Sequence, residues 1–87
     1  MQQLKADKKY IAHWAHYDVI VQWRCAALWD WQVKGAKDLI GSAITPETAI
    51  RRAADYLSQL GCHAVIGGVK KTVAEFLYFE EVKDAGT

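Results

Sequence analysis

The clearest pattern in the chain is an alternation of polar and apolar residues over positions 17–34. A helix would spread the polar residues of this stretch around its circumference, whereas a strand places them on one face. Because one straight strand of this length is unusual, the pattern predicts two strands, at about 17–24 and 28–34, with a hairpin or sharp bend near "CAAL". The strongly polar residues, all at even positions, are Asp18, Gln22, Arg24, Asp30, Gln32 and Lys34.

The segments beside this predicted hairpin extend the sheet. Upstream, "YIAHWAHY" fits either a further strand or a short helix. Downstream, a turn in "GAKD" precedes a short edge strand, Leu39 to Ile44. The odd positions of the hairpin are predicted to face the core, and they include Trp23, Trp29 and Trp31.

The segment "TPETAIRRAADYLSQLG" has the start and stop signals of a helix over about 46–60. Thr45 is the predicted N-cap, Pro46 takes the first helical position, and Gly61 is the expected left-handed stop. The pattern predicts an amphipathic helix that packs on one sheet face. Its apolar stripe consists of Ala49, Ile50, Ala53, Ala54, Leu57 and Leu60.

The C-terminal segment is predicted to be a β-hairpin. "CHAVI" is a short strand and "GG" at 67–68 is a turn signal. "VKKTVAEFLYFEEV" then reads as a long strand, because a helix would leave its apolar residues without a polar face. Alternatively, Thr72 and Glu75 form a capping box that opens a C-terminal helix. Together these elements predict an α+β fold: an antiparallel β-meander, one helix on one sheet face and a C-terminal β-hairpin.

Length and net charge limit the number of domains and the classes of partner that the chain can have. Its 87 residues, 52% of them apolar, predict a single domain over 10–83 with flexible segments at 1–9 and 84–87. The net charge of +1 gives no global field for nucleic acid or anionic membrane. Neither a membrane-spanning run nor a signal-peptide pattern is present, so we expect a cytoplasmic protein without a membrane partner.

The sequence has none of the local signatures on which small enzymes depend. It lacks a phosphate-loop glycine pattern, HExxH, paired CxxC and a nucleophile elbow. We therefore expect no catalytic residues and no cofactor. We also expect no metal site, because the spacing of the histidines and cysteines matches no zinc class. Each cysteine lies in an apolar context, which predicts two buried free thiols. The histidines and cysteines are His13, His16, His63, Cys25 and Cys62.

One basic set raises the alternative of nucleic-acid binding. The segment "ETAIRRAADYLSQLGCHAVIGGVKKTVAEF" resembles the recognition helix and wing of winged-helix DNA-binding proteins. The resemblance covers about a third of the chain and implies a small DNA-binding regulator. The N-terminal half departs from that family, since "DVIVQWR" and "LWDWQV" alternate as strands where a winged helix has helices. The residues implied are Arg51, Arg52, Lys70 and Lys71.

The leading hypothesis is a non-enzymatic protein-binding module. The sheet face opposite the helix mixes polar and apolar residues, as protein-contact surfaces commonly do. The edge strand near 39–44 offers a second route, by strand addition. The partner is another protein or a second copy of the chain. The predicted partner-binding residues are Gln22, Arg24, Asp30, Gln32 and Lys34.

In size and plan, the chain is similar to accessory proteins of phages and mobile elements, including anti-CRISPR proteins that inhibit host defence. This resemblance implies an inhibitor that acts in the host cytoplasm by steric occlusion of a defence complex. Four acidic residues near the C-terminus would then meet a basic groove of that complex, or otherwise form a solvated terminus. They are Glu75, Glu80, Glu81 and Asp84.

Overall fold

A five-stranded antiparallel sheet lies at the centre of the molecule. The structure, a computed structural model, describes residues 2–35 and 37–83. The elements are β1 (Lys9–Trp14), β2 (Tyr17–Cys25), β3 (Leu28–Lys34), β4 (Leu39–Ala43), α1 (Pro46–Gln59), β5 (Ala64–Ile66), β6 (Val69–Lys71), a 3₁₀ turn (Val73–Glu75) and β7 (Glu80–Glu81). The strand order is β4-β3-β2-β1-β7, and β5 pairs with β6 in a separate two-stranded sheet. The predicted α+β fold, with its meander, single helix and hairpin, is confirmed.

The β2–β3 hairpin has the predicted register, with Trp23 opposite Trp29. A bulge between Trp23 and Cys25 and a positive φ of 46° at Ala26 make the sharp turn. Trp29 and Trp31 are buried in the core as predicted. Trp23 is only half-buried and packs against the core from near the end of β2.

The helix α1 covers one face of the sheet. Thr45 Oγ1 accepts the Thr48 N–H at 3.1 Å, which confirms the predicted N-cap. Gly61 has a φ of +89°, the left-handed conformation expected where the helix stops. The largest fully buried side chains of the core are Val19, Val21, Val33, Ile50, Leu57 and Val73.

The structure decides the conformation of the segment before β2 and the burial of the two cysteines. The ambiguous segment "YIAHWAHY" forms β1, which turns into β2 through Ala15 at a φ of 54°. Both cysteines are free thiols, but Cys25 is exposed at the β2 end and Cys62 is half-buried. The prediction of two buried thiols is therefore wrong, since the hairpin turn that follows Cys25 carries it past the core.

The predicted long strand after residue 69 is wrong. β6 ends at Lys71, and Thr72 Oγ1 accepts the Ala74 N–H at 3.2 Å to open the 3₁₀ turn. The neighbours Val73 and Ala74 are both buried, which a strand with alternating faces does not allow. The alternative of a capping box at Thr72 and Glu75 placed the cap correctly at Thr72. It predicted a C-terminal helix, whereas a 3₁₀ turn of three residues forms.

The N-terminal residues lie against the domain. The Gln2 side chain pairs with both backbone groups of Phe79, with Nε2 donating to the carbonyl at 2.8 Å and Oε1 accepting the N–H at 2.6 Å. Leu4 is 9% exposed and belongs to the core cluster. The flexibility of 1–9 stays a prediction, but Gln2 and Leu4 have packed positions. The predicted flexible tail at 84–87 lies outside the described residues.

Over the described ranges, none of the helical segments has the length and apolar character that crossing a membrane requires.

Candidate functional site

The sheet face opposite α1 carries a row of isoleucines. Antiparallel register places Ile11 opposite Ile20, Ile20 opposite Gln32, and Gln32 opposite Ile40. Ile11 and Ile20 are half-buried, and Ile40 is 66% exposed on the edge strand β4. We call this face the open face, and Ile11, Ile20 and Ile40 its isoleucine row.

A fixed polar cluster flanks the isoleucine row. Arg24 holds Asp30 in a two-point ion pair, with Nε–Oδ2 at 2.9 Å and Nη2–Oδ1 at 2.5 Å. Ser42 Oγ on β4 donates to Asp30 Oδ1 at 2.9 Å. Hydrogen bonding from Arg24 lowers the pKa of Asp30, against an upward effect of partial burial, and Ser42 adds to the lowering. The carboxylate is therefore held charged in one geometry.

Charged residues also line the other side of the row. Asp18 lies opposite Lys34 on β3 and opposite His13 on β1. His13 Nδ1 is 2.5 Å from Asp18 Oδ1. The structure thus brings all five predicted partner-binding residues onto adjacent positions of the open face. They are Gln22, Arg24, Asp30, Gln32 and Lys34.

The structure brings two of the four basic residues of the winged-helix alternative together and turns the other two away from them. Arg51 and Lys71 line a shallow pocket of about 430 Å³ together with Asp55 and Glu75. Arg52 turns toward the sheet, where Nη1 donates to the Ser42 carbonyl at 2.7 Å. Lys70 and Lys71 are successive residues of β6, so their side chains leave opposite faces of the hairpin.

A second concave surface escaped the sequence analysis. A cleft of about 920 Å³ opens where the start of β1, the end of β2 and the segment after β7 meet. Val82 N–H donates to the Lys9 carbonyl at 2.8 Å, and Trp23 N–H donates to the Lys8 carbonyl at 3.2 Å. We call it the basic cleft. Its lining consists of Asp7, Lys8, Lys9, Gln22, Trp23, Arg24, Glu81, Val82 and Lys83.

Lys5, Lys8 and Lys9 lie close together near the N-terminus, and this is the one feature of the sequence that relates to the cleft. Lys8 Nζ lies 3.0 Å from Glu81 Oε1. The hydrogen bond from Lys8 lowers the pKa of Glu81, and the charges of Lys8, Lys83 and Lys5 lower it further. Several lysines from both ends of the chain therefore surround a single carboxylate, which no local pattern in the sequence indicates.

The acidic C-terminal residues do not form one surface. Glu75 lies in the pocket with Arg51, whereas Glu80 and Glu81 pair with β1. Asp84 lies outside the described residues. Within 2–35 and 37–83, histidine, cysteine and acidic side chains form no group of three placed to hold a metal ion.

Comparisons with family models, curated proteins and solved structures found no match to this chain. The geometry of the open face and of the basic cleft is therefore the basis on which a function can be inferred.

Proposed function

We propose that the chain is a non-enzymatic protein-binding module that uses its open face. The isoleucine row carries this proposal, because three large apolar side chains cross a sheet face that no element of the described chain covers. Contact surfaces between proteins combine such an apolar centre with a polar rim. Here the rim is supplied by Arg24 and Asp30 on one side and by Asp18 and Lys34 on the other.

The fixed geometry of the rim supports the same proposal. A side chain already held in one conformation loses little entropy when a partner binds. The Arg24–Asp30–Ser42 cluster meets this condition, since each member is bonded to another across strands. The apolar centre would supply affinity, and the fixed charges would supply orientation and selectivity.

A steric inhibitor of a host defence complex is the form of this function that the size and plan of the chain imply. In that form, the open face would cover a surface that the complex needs for its nucleic acid or nuclease. DNA binding through the helix and hairpin is the less favoured alternative, because its basic residues point in several directions and Arg51 faces two carboxylates.

An affinity pull-down from nuclease-treated host lysate tests the proposal. The tagged wild-type chain is compared with Ile40→Lys and Gln32→Glu, which alter the centre of the open face. Lys70→Glu is the matched control, because it changes charge on the distant hairpin. We expect a stoichiometric protein that wild type and control retain and that both face variants lose, with thermal unfolding unchanged.

Two outcomes would contradict this function. The first is a partner that the face variants retain as well as wild type does. The second is retained nucleic acid without a protein partner, lost after nuclease treatment and weakened by Lys71→Glu, which would favour the DNA-binding alternative.

A further inference from the structure

The basic cleft has more positive charge than its own carboxylates neutralise. Among the residues that the structure describes, its lining has four cationic side chains and two acidic ones. Lys8 is paired with Glu81, and Arg24 with Asp30 on the open face. Lys9 and Lys83 form no ion pair with any described residue. The cleft therefore presents uncompensated ammonium groups to an anion.

Trp23 adds an aromatic surface to this charge. Its indole Nε1–H donates to the Ala26 carbonyl at 2.9 Å, which fixes the ring against the hairpin turn. The side chain is half-buried, so part of it faces the cleft. A rigid aromatic ring beside cations is the arrangement on which nucleic-acid bases stack while their phosphates are neutralised.

The shape of the cleft distinguishes between anionic ligands. Its volume of about 920 Å³ is that of a ligand site, and it is open to solvent along its length. It contains no glycine-rich loop and no helix N-terminus, so a single phosphate would find no cradle of backbone N–H groups. A flexible polymer with several charges and flat apolar groups fits better. An acidic peptide would use the lysines but not the exposed indole.

We propose that the basic cleft binds a short segment of single-stranded nucleic acid. Lys9 and Lys83 contact two phosphates, Lys8 exchanges its exposed ion pair with Glu81 for a third phosphate, and one base stacks on Trp23. Binding of this kind is tolerant of sequence and falls steeply with salt. The cleft shares Gln22 and Arg24 with the border of the open face, but it includes neither the isoleucine row nor the winged-helix residues. The residues on which its test depends, Lys9, Lys83 and Trp23, lie outside the predicted partner-binding set.

Fluorescence anisotropy tests the proposal, with the purified chain titrated into a labelled oligothymidylate of about eight nucleotides. If about three phosphates are contacted, affinity falls by about tenfold to twentyfold between about 50 mM and 200 mM salt. Lys9→Glu/Lys83→Glu weakens binding at least about tenfold. Lys70→Glu/Lys71→Glu is the control with the same charge change, and it stays within about twofold of wild type.

Stacking is tested separately from charge. Trp23→Leu weakens binding by about fivefold or more, whereas Trp23→Phe keeps an aromatic face and stays within about threefold. Thermal unfolding of each variant is measured alongside. If Trp23→Leu fails to fold, the comparison of Trp23→Phe with the lysine variants still decides the outcome.

Four results would overturn the proposal. They are absence of binding up to about 0.1 mM protein, equal binding to a duplex of the same charge, equal competition by oligoglutamate, and loss of binding only in the hairpin control. Equal binding to the duplex would show that the indole takes no part. Loss of binding only in Lys70→Glu/Lys71→Glu would show that nucleic acid binds at the helix and hairpin instead.

Discussion

At the scale of single residues, the open face is organised by one carboxylate. Asp30 lies in the middle of β3, where Arg24 reaches it from β2 and Ser42 from β4. The pair is partly solvated, with 53% of the Arg24 side chain and 30% of the Asp30 side chain exposed. An ion pair of this kind contributes modestly to stability, and its larger effect is to fix side-chain geometry.

The lowered pKa of Asp30 predicts a pH-dependent contribution to stability. Because the folded pKa lies below the ordinary value of 3.8, the stabilisation is complete above that value and is lost as pH falls through the folded pKa. We expect Asp30→Asn to lower the free energy of unfolding by about 0.5 kcal/mol at pH 7. At about pH 3 the difference from wild type should shrink.

Urea denaturation at the two pH values measures this effect. Asp55→Asn is the control, because that carboxylate is exposed on α1 and forms no ion pair within the described chain. A pH-independent difference for Asp30→Asn would mean that its charge does not stabilise the fold.

A second contact at this scale is that of Gly41 with Trp31, which lie opposite each other on β4 and β3. A Cβ at Gly41 would lie 2.6 Å from Cε2, Cζ2 and Nε1 of the indole. The indole ring therefore occupies the space that a side chain at position 41 would take. It covers the backbone of this glycine on the edge strand β4.

We expect Gly41→Ala to lower the free energy of unfolding by about 1–3 kcal/mol, because the buried indole must move. In a Trp31→Phe background the smaller ring should make the same change cost less. Denaturation of the four chains gives a double-mutant cycle. Strictly additive effects would contradict the contact as the cause.

At the scale of elements, α1 holds the edge of the sheet as well as covering its face. Arg52 and Tyr56 lie one helical turn apart. Arg52 donates to the Ser42 carbonyl, and the Tyr56 hydroxyl donates to the Lys37 carbonyl at 2.5 Å. One carbonyl of β4 and one in the segment before it are thus occupied, which limits the predicted route of strand addition at β4.

Removal of one of these contacts should loosen β4 selectively. We expect Arg52→Ala to increase amide hydrogen exchange over residues 39–43 by about twofold to tenfold, because one net hydrogen bond is lost. Arg51→Ala is the matched control, since Arg51 makes no hydrogen bond to β4. Equal protection of β4 in both variants would show that Arg52 does not hold the edge.

At the scale of the whole molecule, the two ends of the chain meet. β7 pairs with β1, and Leu4 packs into the core. The Gln2 side chain forms hydrogen bonds with the carbonyl and the N–H of Phe79. This meeting brings N-terminal lysines beside Lys83 and opens the basic cleft against the end of β2. Charges that nearly cancel over the whole chain are therefore unevenly distributed in space.

The packed N-terminus predicts a measurable loss on truncation of Leu4. We expect Leu4→Ala to lower the free energy of unfolding by about 2 kcal/mol, the lower end for a buried leucine, because the residue lies at the rim of the core. Lys5→Ala is the control, since the Lys5 contact with the Tyr10 hydroxyl uses the backbone N–H. Urea denaturation that gives wild-type stability for Leu4→Ala would support a flexible segment at 1–9.

The sequence by itself determined those elements whose signals are local. Even-numbered polar residues identified β2 and β3, and Thr45, Pro46 and Gly61 bounded the helix. The same parity placed Gln22, Arg24, Asp30, Gln32 and Lys34 on one face. These inferences succeed because backbone periodicity and capping depend on neighbours in the chain.

Only the tertiary structure decided which residues meet across the fold. The path after Lys71 follows from the burial of Val73 and Ala74 beside α1. The basic cleft requires strands from both ends of the chain to pair. Burial and charge clustering depend on what lies opposite a residue in space, and that is set by packing between elements distant in sequence.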